Sequence, residues 1–415
     1  MRRREFLQVG LQGLGLVAAH SLVLPPLAGC TVMEPPLEPA LGTALELHIT
    51  EALVEMIDKT PVYHWLFAPR PGGIDFGPRF PGPVIFATAG EAIRIALTND
   101  LDEDHAFEVA GVAGTASGPI PPGGTATVDF VVPVAGTYIY LDPLNAPLNR
   151  VLGLHGVLVV LPGGFDPAGP VNTPYTNPTP AVQRLFDDLG TAPQFPGDPW
   201  LAERTTVWLF HQIDPELNAR VRAGLPVDPA RVRENFLPRY FTLNGRSGAL
   251  AAHSDDTVLQ GFVGEPRLVR IVNTGLVTHS PHIHANHVFP TSIDGVVQEN
   301  VPSIDTWTVA PLDRIDWLVP FVRPPDIPGD PLVPLRQLLA RELSLVIGGV
   351  PQSPLRYPMH GHNEPSQTAA GGNYPQGLVT DLVFLGDVDK VPFPNSHLGI
   401  GGPPHVPGSD DHDAH

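Results

Sequence analysis

Apolar residues along this chain recur in short alternating or continuous runs, not at helical spacing. Leu45-Glu-Leu-His-Ile49 alternates apolar and polar. Ala92-Ile-Arg-Ile-Ala-Leu97, Thr125-Ala-Thr-Val-Asp-Phe-Val-Val132, Thr137-Tyr-Ile-Tyr140 and Val157-Leu-Val-Val-Leu161 each have the length and content of a strand. Gly, Pro, Asn or Asp punctuates the runs, and these are the residues that turn a chain. The pattern predicts a β-sandwich over residues 45–165.

A second such unit is predicted over 204–388. It carries Thr206-Val-Trp-Leu-Phe210, Phe241-Thr-Leu-Asn-Gly245, Arg267-Leu-Val-Arg-Ile-Val272 and Asp381-Leu-Val-Phe-Leu385. The two units share an order of features: a strand ending in Thr98-Asn99 or Val272-Asn273-Thr274, then a histidine-bearing segment, then a late strand–loop–strand. This is a weak internal repeat. Residues 166–203 read as a Pro-rich linker with one amphipathic piece, Val182–Leu189. An insertion at about 322–350 holds the other helical pattern, Leu335–Leu343. The stretch 389–415 reads as a disordered tail.

Composition sharpens this picture. The 415 residues include 42 Gly and 51 Pro, with only 16% charged side chains, which favours many short strands over long helices. A net charge of -19 argues against nucleic acid as a partner and against a basic membrane-binding face. Beyond the N-terminal segment no apolar run reaches the roughly 18 residues of a membrane-spanning helix.

The N-terminus reads as an export signal over residues 1–30. Arg3-Arg4-Glu5-Phe6-Leu7 fits the twin-arginine pattern, and Leu27-Ala-Gly-Cys30 resembles a lipobox. The expectation is cleavage before Cys30, lipidation of its thiol and a Pro-rich tether over 31–44. The protein would then be lipid-anchored on the periplasmic face of a membrane. Cys30 is the only cysteine. The chain can form no internal disulfide, and the mature body has no thiolate for a metal.

Two segments carry candidate chemistry: His279-Ser-Pro-His-Ile-His284 and Tyr357-Pro-Met-His-Gly-His362. On a strand, residues two apart share a face. His282 and His284 therefore point one way and His279 the other. His360 and His362 likewise share a face, with Gly361 on the opposite side. Four neutral imidazoles suit copper, zinc, iron or nickel; the competing reading is four ordinary hydrogen-bonded histidines. His64, His155, His211 and His253 are isolated in sequence and read as structural. Asp142 before Pro143 reads as a turn residue, with a ligand role as the alternative.

These landmarks resemble the cupredoxin domains of the multicopper oxidase family. Gly77-Pro-Arg-Phe-Pro-Gly-Pro-Val-Ile85, Ile120–Val128 with Gly136–Tyr140, and His279-x-x-His-x-His284 with the 357–378 loop carry the resemblance. It implies an all-β chain of two Greek-key sandwiches, a possible homotrimer, and copper. It also marks departures. The family's His-Cys-His loop here reads His360-Gly361-His362. Ser366 stands where its second type 1 histidine falls, and Gly371 where its axial Met falls. His105-Ala-Phe107 and Leu141-Asp-Pro143 replace two His-x-His motifs. The implied protein binds one or two ions, copper first and zinc second, at His282, His284, His360 and His362, with His105 and His279 as weaker candidates. It has no blue-copper centre. A metal-free envelope scaffold of the cell-division type and an atypical oxidase of phenols or metal ions are the alternatives.

Overall fold

The computed structural model describes residues 40–41, 44–69, 79–163, 173–324, 354–370, 372 and 374–392. The twin-arginine segment, Cys30, nearly all of the tether, the 335–343 helical pattern, Gly371 and the tail from 393 lie outside the described residues.

Among the described residues, nineteen strands follow in order: β1 (Ala40–Leu41), β2 (Ala44–Glu55), β3 (Pro61–Pro69), β4 (Val84–Thr88), β5 (Ala92–Asn99), β6 (Glu108–Val109), β7 (Thr125–Val131), β8 (Gly136–Leu141), β9 (His155–Leu161), β10 (Thr205–Ile213), β11 (Tyr240–Leu243), β12 (Leu259–Gly261), β13 (Arg267–Asn273), β14 (Pro281–Ile283), β15 (Phe289–Ile293), β16 (Val296–Val297), β17 (Arg314–Val319), β18 (Leu355–Gly361) and β19 (Val379–Phe384). They form four sheets, two in each half of the chain. The first half has β1-β4-β9-β8-β6 and β3-β2-β5-β7. The second has β11-β10-β13-β17-β15-β16 and β12-β19-β18-β14.

Each half is a sandwich because alternation sends one side chain in two inward. Leu47 and Ile49 of β2, Phe67 of β3, Ile95 of β5, Tyr140 of β8 and Leu158 of β9 meet in one core. Trp208, Phe210, Val269, Trp317, Met359 and Phe384 meet in the other. β9 and β10 break the alternation, being buried at every position. Their outer faces explain it. Val157, Val159 and Leu161 of β9 pack on Val207 and Leu209 of β10 and Val272 of β13, joining the sandwiches back to back.

Charge is buried at the same junction. Arg270 of β13 lies opposite Asp316 of β17 and donates to its carboxylate at 2.8 Å. Thr137 of β8 donates to the same carboxylate at 2.7 Å, and Tyr175 at 2.9 Å.

The helix α1 (Pro180–Asp188) begins two residues before its expected start. Thr179 caps it by accepting the Val182 N–H, and Pro180 occupies the first turn, where no donor is needed. Val182, Leu185 and Phe186 pack with Trp200 on Leu268 and Leu318. Among the described residues, no helix is long and apolar enough to cross a membrane.

The internal repeat holds in three dimensions. Buried Asn99 donates to the carbonyls of Glu103 and Ile120, while its side-chain oxygen accepts from Leu101. Buried Asn273 does the same for Val277, Val309 and Gly275. Six residues after each asparagine stands a fully buried histidine, His105 bridged to Ile120 and His279 bridged to Val309. One loop geometry, fixed by one amide, is used twice.

Candidate metal centre

β14 and β18 run antiparallel, with His282 directly opposite His360. The ladder continues past both ends: His284 N–H donates to Pro358 O at 3.1 Å and His362 N–H to Ser280 O at 2.8 Å. All four rings therefore fall on one face. The His282 ring centroid is 4.7 Å from that of His284, 5.5 Å from His360 and 4.6 Å from His362. His360 and His362 stack at 5.3 Å.

Three of the four donors converge. One ring nitrogen from each of His282, His284 and His360 lies within 4.8 Å of the others. Two nitrogens on one ion, each at about 2.1 Å, are separated by at most about 4.2 Å, so small ring rotations close the set. His362, exposed to solvent, flanks the trio against His282 and His360.

His284 Nε2 and His360 Nε2 are 3.2 Å apart. Without an ion one of them must carry a proton; with one, both lone pairs are used. Burial first, and then the neighbouring imidazoles, lower the proton affinity of His282 and His284. Both are therefore neutral, ligand-ready bases at neutral pH.

The opposite face is filled. Gly361 leaves room there only for Ser366, whose hydroxyl a Cβ at 361 would strike, with Leu378 beyond. Ser366 Oγ donates to Asn363 O at 2.6 Å. His279 lies buried on this side, edge-on to Phe210, with its Nε2 against the Gln212 side-chain amide. Gln212 Oε1 accepts from Leu276 N–H at 2.6 Å and Val277 N–H at 2.8 Å, which turns its NH2 toward His279. A blue-copper site needs two imidazoles and a thiolate. Among the described residues, this face offers one imidazole, His279, already engaged with Gln212.

Replacing Gly361 with Ala is accordingly expected to destabilise the protein by roughly 1–3 kcal/mol through overpacking against Ser366. The urea midpoint should fall at constant slope. Gly361→Cys should gain no intense visible band when copper is added. An unchanged midpoint for Gly361→Ala would mean that this face is open.

His105 is engaged within the first sandwich. Its Nδ1 lies 2.8 Å from Asp142 Oδ2, which also accepts from Asn149 Nδ2 at 2.8 Å. Asp142 Oδ1 accepts from Leu144 N–H at 2.9 Å. Asp142 is thus the expected turn residue and also the buried partner of a histidine.

Sequence spacing missed two features. His64, His155 and His211, isolated along the chain, meet around Phe80 with centroids 4.5, 5.7 and 5.3 Å from its ring, and His155 lies 4.5 Å from His211. All three are fully buried. The other missed feature is the stretch 304–309, which covers the free edge of β14 through the bridges Val288↔Ile304, His282↔Thr306 and His279↔Val309. A cleft of about 490 Å³ lined by Ser280, Thr306, Trp307, Thr308 and His362 opens there. Ile304-Asp-Thr-Trp-Thr-Val309 is rich in β-formers, but nothing in its local sequence specifies that it lies beside β14.

Comparison with known proteins gives a consistent setting. Residues 72–164 match the protein family described as multicopper oxidase. The L-ascorbate oxidase of Cucumis sativus is 41% identical over 95 residues, 20% of this chain and 16% of that enzyme. The multicopper oxidase MmcO of Mycobacterium tuberculosis is 29% identical over 148 residues, 33% of this chain and 29% of that protein. The matched stretches thus span less than a third of these curated relatives. The blue copper oxidase from Nitrosomonas europaea superposes with a TM-score of 0.57 at 17% identity, covering 82% of this chain and 85% of that one. The copper nitrite reductase from the same organism gives 0.51 at 16%, covering 83% and 94%. The shared feature is the mostly-β, cupredoxin-like fold. The family match ends at residue 164, short of the histidines of β14 and β18.

Proposed function

We propose that this protein binds one metal ion, or two, with copper first and zinc second, at His282, His284 and His360 with His362 beside them, on a multicopper-oxidase-like fold that lacks a blue-copper centre. The observation that carries this reading is the convergence of three imidazole nitrogens on adjoining strands. The chemistry of the donor set supports copper: uncharged nitrogen ligands without sulfur or a crowd of carboxylates suit Cu(II) and Zn(II). The likeness of residues 72–164 to multicopper oxidases points the same way. A bound ion would supply Lewis acidity and, for copper, one-electron chemistry. The chain's own part is to hold three rings in register, to keep His282 and His284 uncharged, and to leave the His362 side open through the cleft by Trp307. The export signal and the Cys30 lipid anchor read from the sequence are part of this proposal, with the centre on the periplasmic face of a membrane.

A metal-free scaffold is the second reading. The observation in its favour is the 3.2 Å approach of His284 and His360, which pairs two imidazoles without an ion.

Metal counting separates the readings. The protein is loaded with Cu(II) or Zn(II), dialysed and assayed for metal per chain. About one to two ions retained, and none in the His282→Gln/His360→Gln double variant with unchanged circular dichroism, is the expected result. No retained ion would overturn the metal-binding reading and leave the scaffold. Three or more coppers with oxygen uptake on a phenol would replace it with an oxidase.

A further inference from the structure

We infer that Asp305 is the positioning carboxylate of this centre, accepting the Nδ1–H of His282 and thereby turning that ring's other nitrogen to the ion. The inference rests on the proposed metal site.

A neutral imidazole can ligate through one nitrogen only while the other carries its proton, so that N–H needs an acceptor. His360 shows the device already in place: its Nδ1 lies 3.2 Å from Gly361 O, and its Nε2 faces His284. His282 lacks the corresponding bond. Its Nδ1 is buried and has no hydrogen-bond partner. A carboxylate oxygen of Asp305 stands 3.9 Å from it. That gap is beyond hydrogen-bond range by about one ångström, within the swing of a side chain.

The backbone of Asp305 cannot drift from His282. Ile283 N–H donates to Asp305 O at 3.0 Å, and Thr306 bridges to His282 itself. Asp305 is 47% exposed at its side chain, so rotation toward the ring meets no packed neighbour cost of the kind a core residue would face. Thr306 Oγ1, also buried and unpartnered, is the competing acceptor. The carboxylate is the stronger one, and an imidazole held by a carboxylate is a more basic ligand.

The test measures Cu(II) affinity by chelator competition, together with the ligand-field and paramagnetic resonance spectra of the Cu(II) protein. Asp305→Ala and Asp305→Asn are expected to weaken binding about ten- to a hundredfold and to alter both spectra. Asp305→Glu should restore part of the loss. Asp129→Asn, a carboxylate change on β7, should match wild type. Metal-free melting temperatures should agree across the set. Asp305 variants that bind as tightly as wild type with unchanged spectra overturn the role of Asp305 alone. So does a full loss confined to Thr306→Val. A wild-type protein that binds no Cu(II) removes the four-histidine site, and the inference falls with it.

Discussion

Acidification from about pH 7 to about pH 4.5 is expected to remove most of the folded stability of this protein, with the loss beginning near pH 6.5, about two units above the ordinary carboxylate range. Burial is the cause. It lowers the pKa of His64 from 6.5 to about 4, of His155 to about 3 and of His279 to about 3, and holds His211 well below its ordinary value. In the unfolded chain each titrates near 6.5. Above that pH both states are uncharged and stability is flat. Below it the unfolded chain takes up protons that the native state refuses, so stability is lost as pH falls through 6.5 and continues to be lost until the native values are reached. Each histidine contributes at most about 1.4 kcal/mol per pH unit, and His64 alone on the order of 3 kcal/mol in all. Four together can consume a typical domain's margin of about 5–15 kcal/mol. Urea midpoints at stepped pH values check this. A profile that stays level down to about pH 4.5 would refute the neutral, buried state of these rings. His64→Phe should lower the slope by about one proton.

Removing the carboxylate of Asp316 is expected to cost about 3–5 kcal/mol, the usual penalty for stranding a buried charge. Arg270 is fully buried, and Asp316 is the acidic group opposite it on the neighbouring strand. Asp316→Ala also strips acceptors from Thr137 and Tyr175, which reach the carboxylate from outside the second sheet. Because Thr137 belongs to the first sandwich, the lesion weakens the junction between the two halves. Arg270→Leu/Asp316→Leu should recover much of the loss, since an apolar pair carries no desolvation cost. Denaturant unfolding of the three proteins settles it. A single-variant loss below about 1 kcal/mol would show that water already solvates the guanidinium.

The strand runs were legible because alternation and turn residues act locally. β5, β7, β8 and β13 sit within two residues of their sequence patterns. β2 runs on to Glu55 where its alternating pattern stops at Ile49, because pairing with β3 carries the strand beyond its local signal. The four-histidine face was legible for the same local reason: two His-x-His pairs, each on a strand, can only project together if the strands pair. That His282 meets His360, and that three nitrogens close before the fourth, follows from register, which no local pattern specifies. Asp305 and Trp307 reach the site from an irregular segment. Its place beside β14 depends on backbone bridges to residues 16 to 30 positions away in sequence.

Residue order alone therefore determined which faces each strand presents, the confinement of cysteine to Cys30, and the glycine that separates His360 from His362; these are properties of side-chain type and the two-residue period of an extended chain. Tertiary structure decided which faces meet. Pressing the two sandwiches together buried His64, His155 and His211 around Phe80, and pairing β13 with β17 set Asp316 against Arg270, while the imidazole trio, on the outer face of β14 and β18, stayed near solvent. Burial is a property of the assembled neighbours, and it separates a histidine kept neutral in the core from one free to meet an ion.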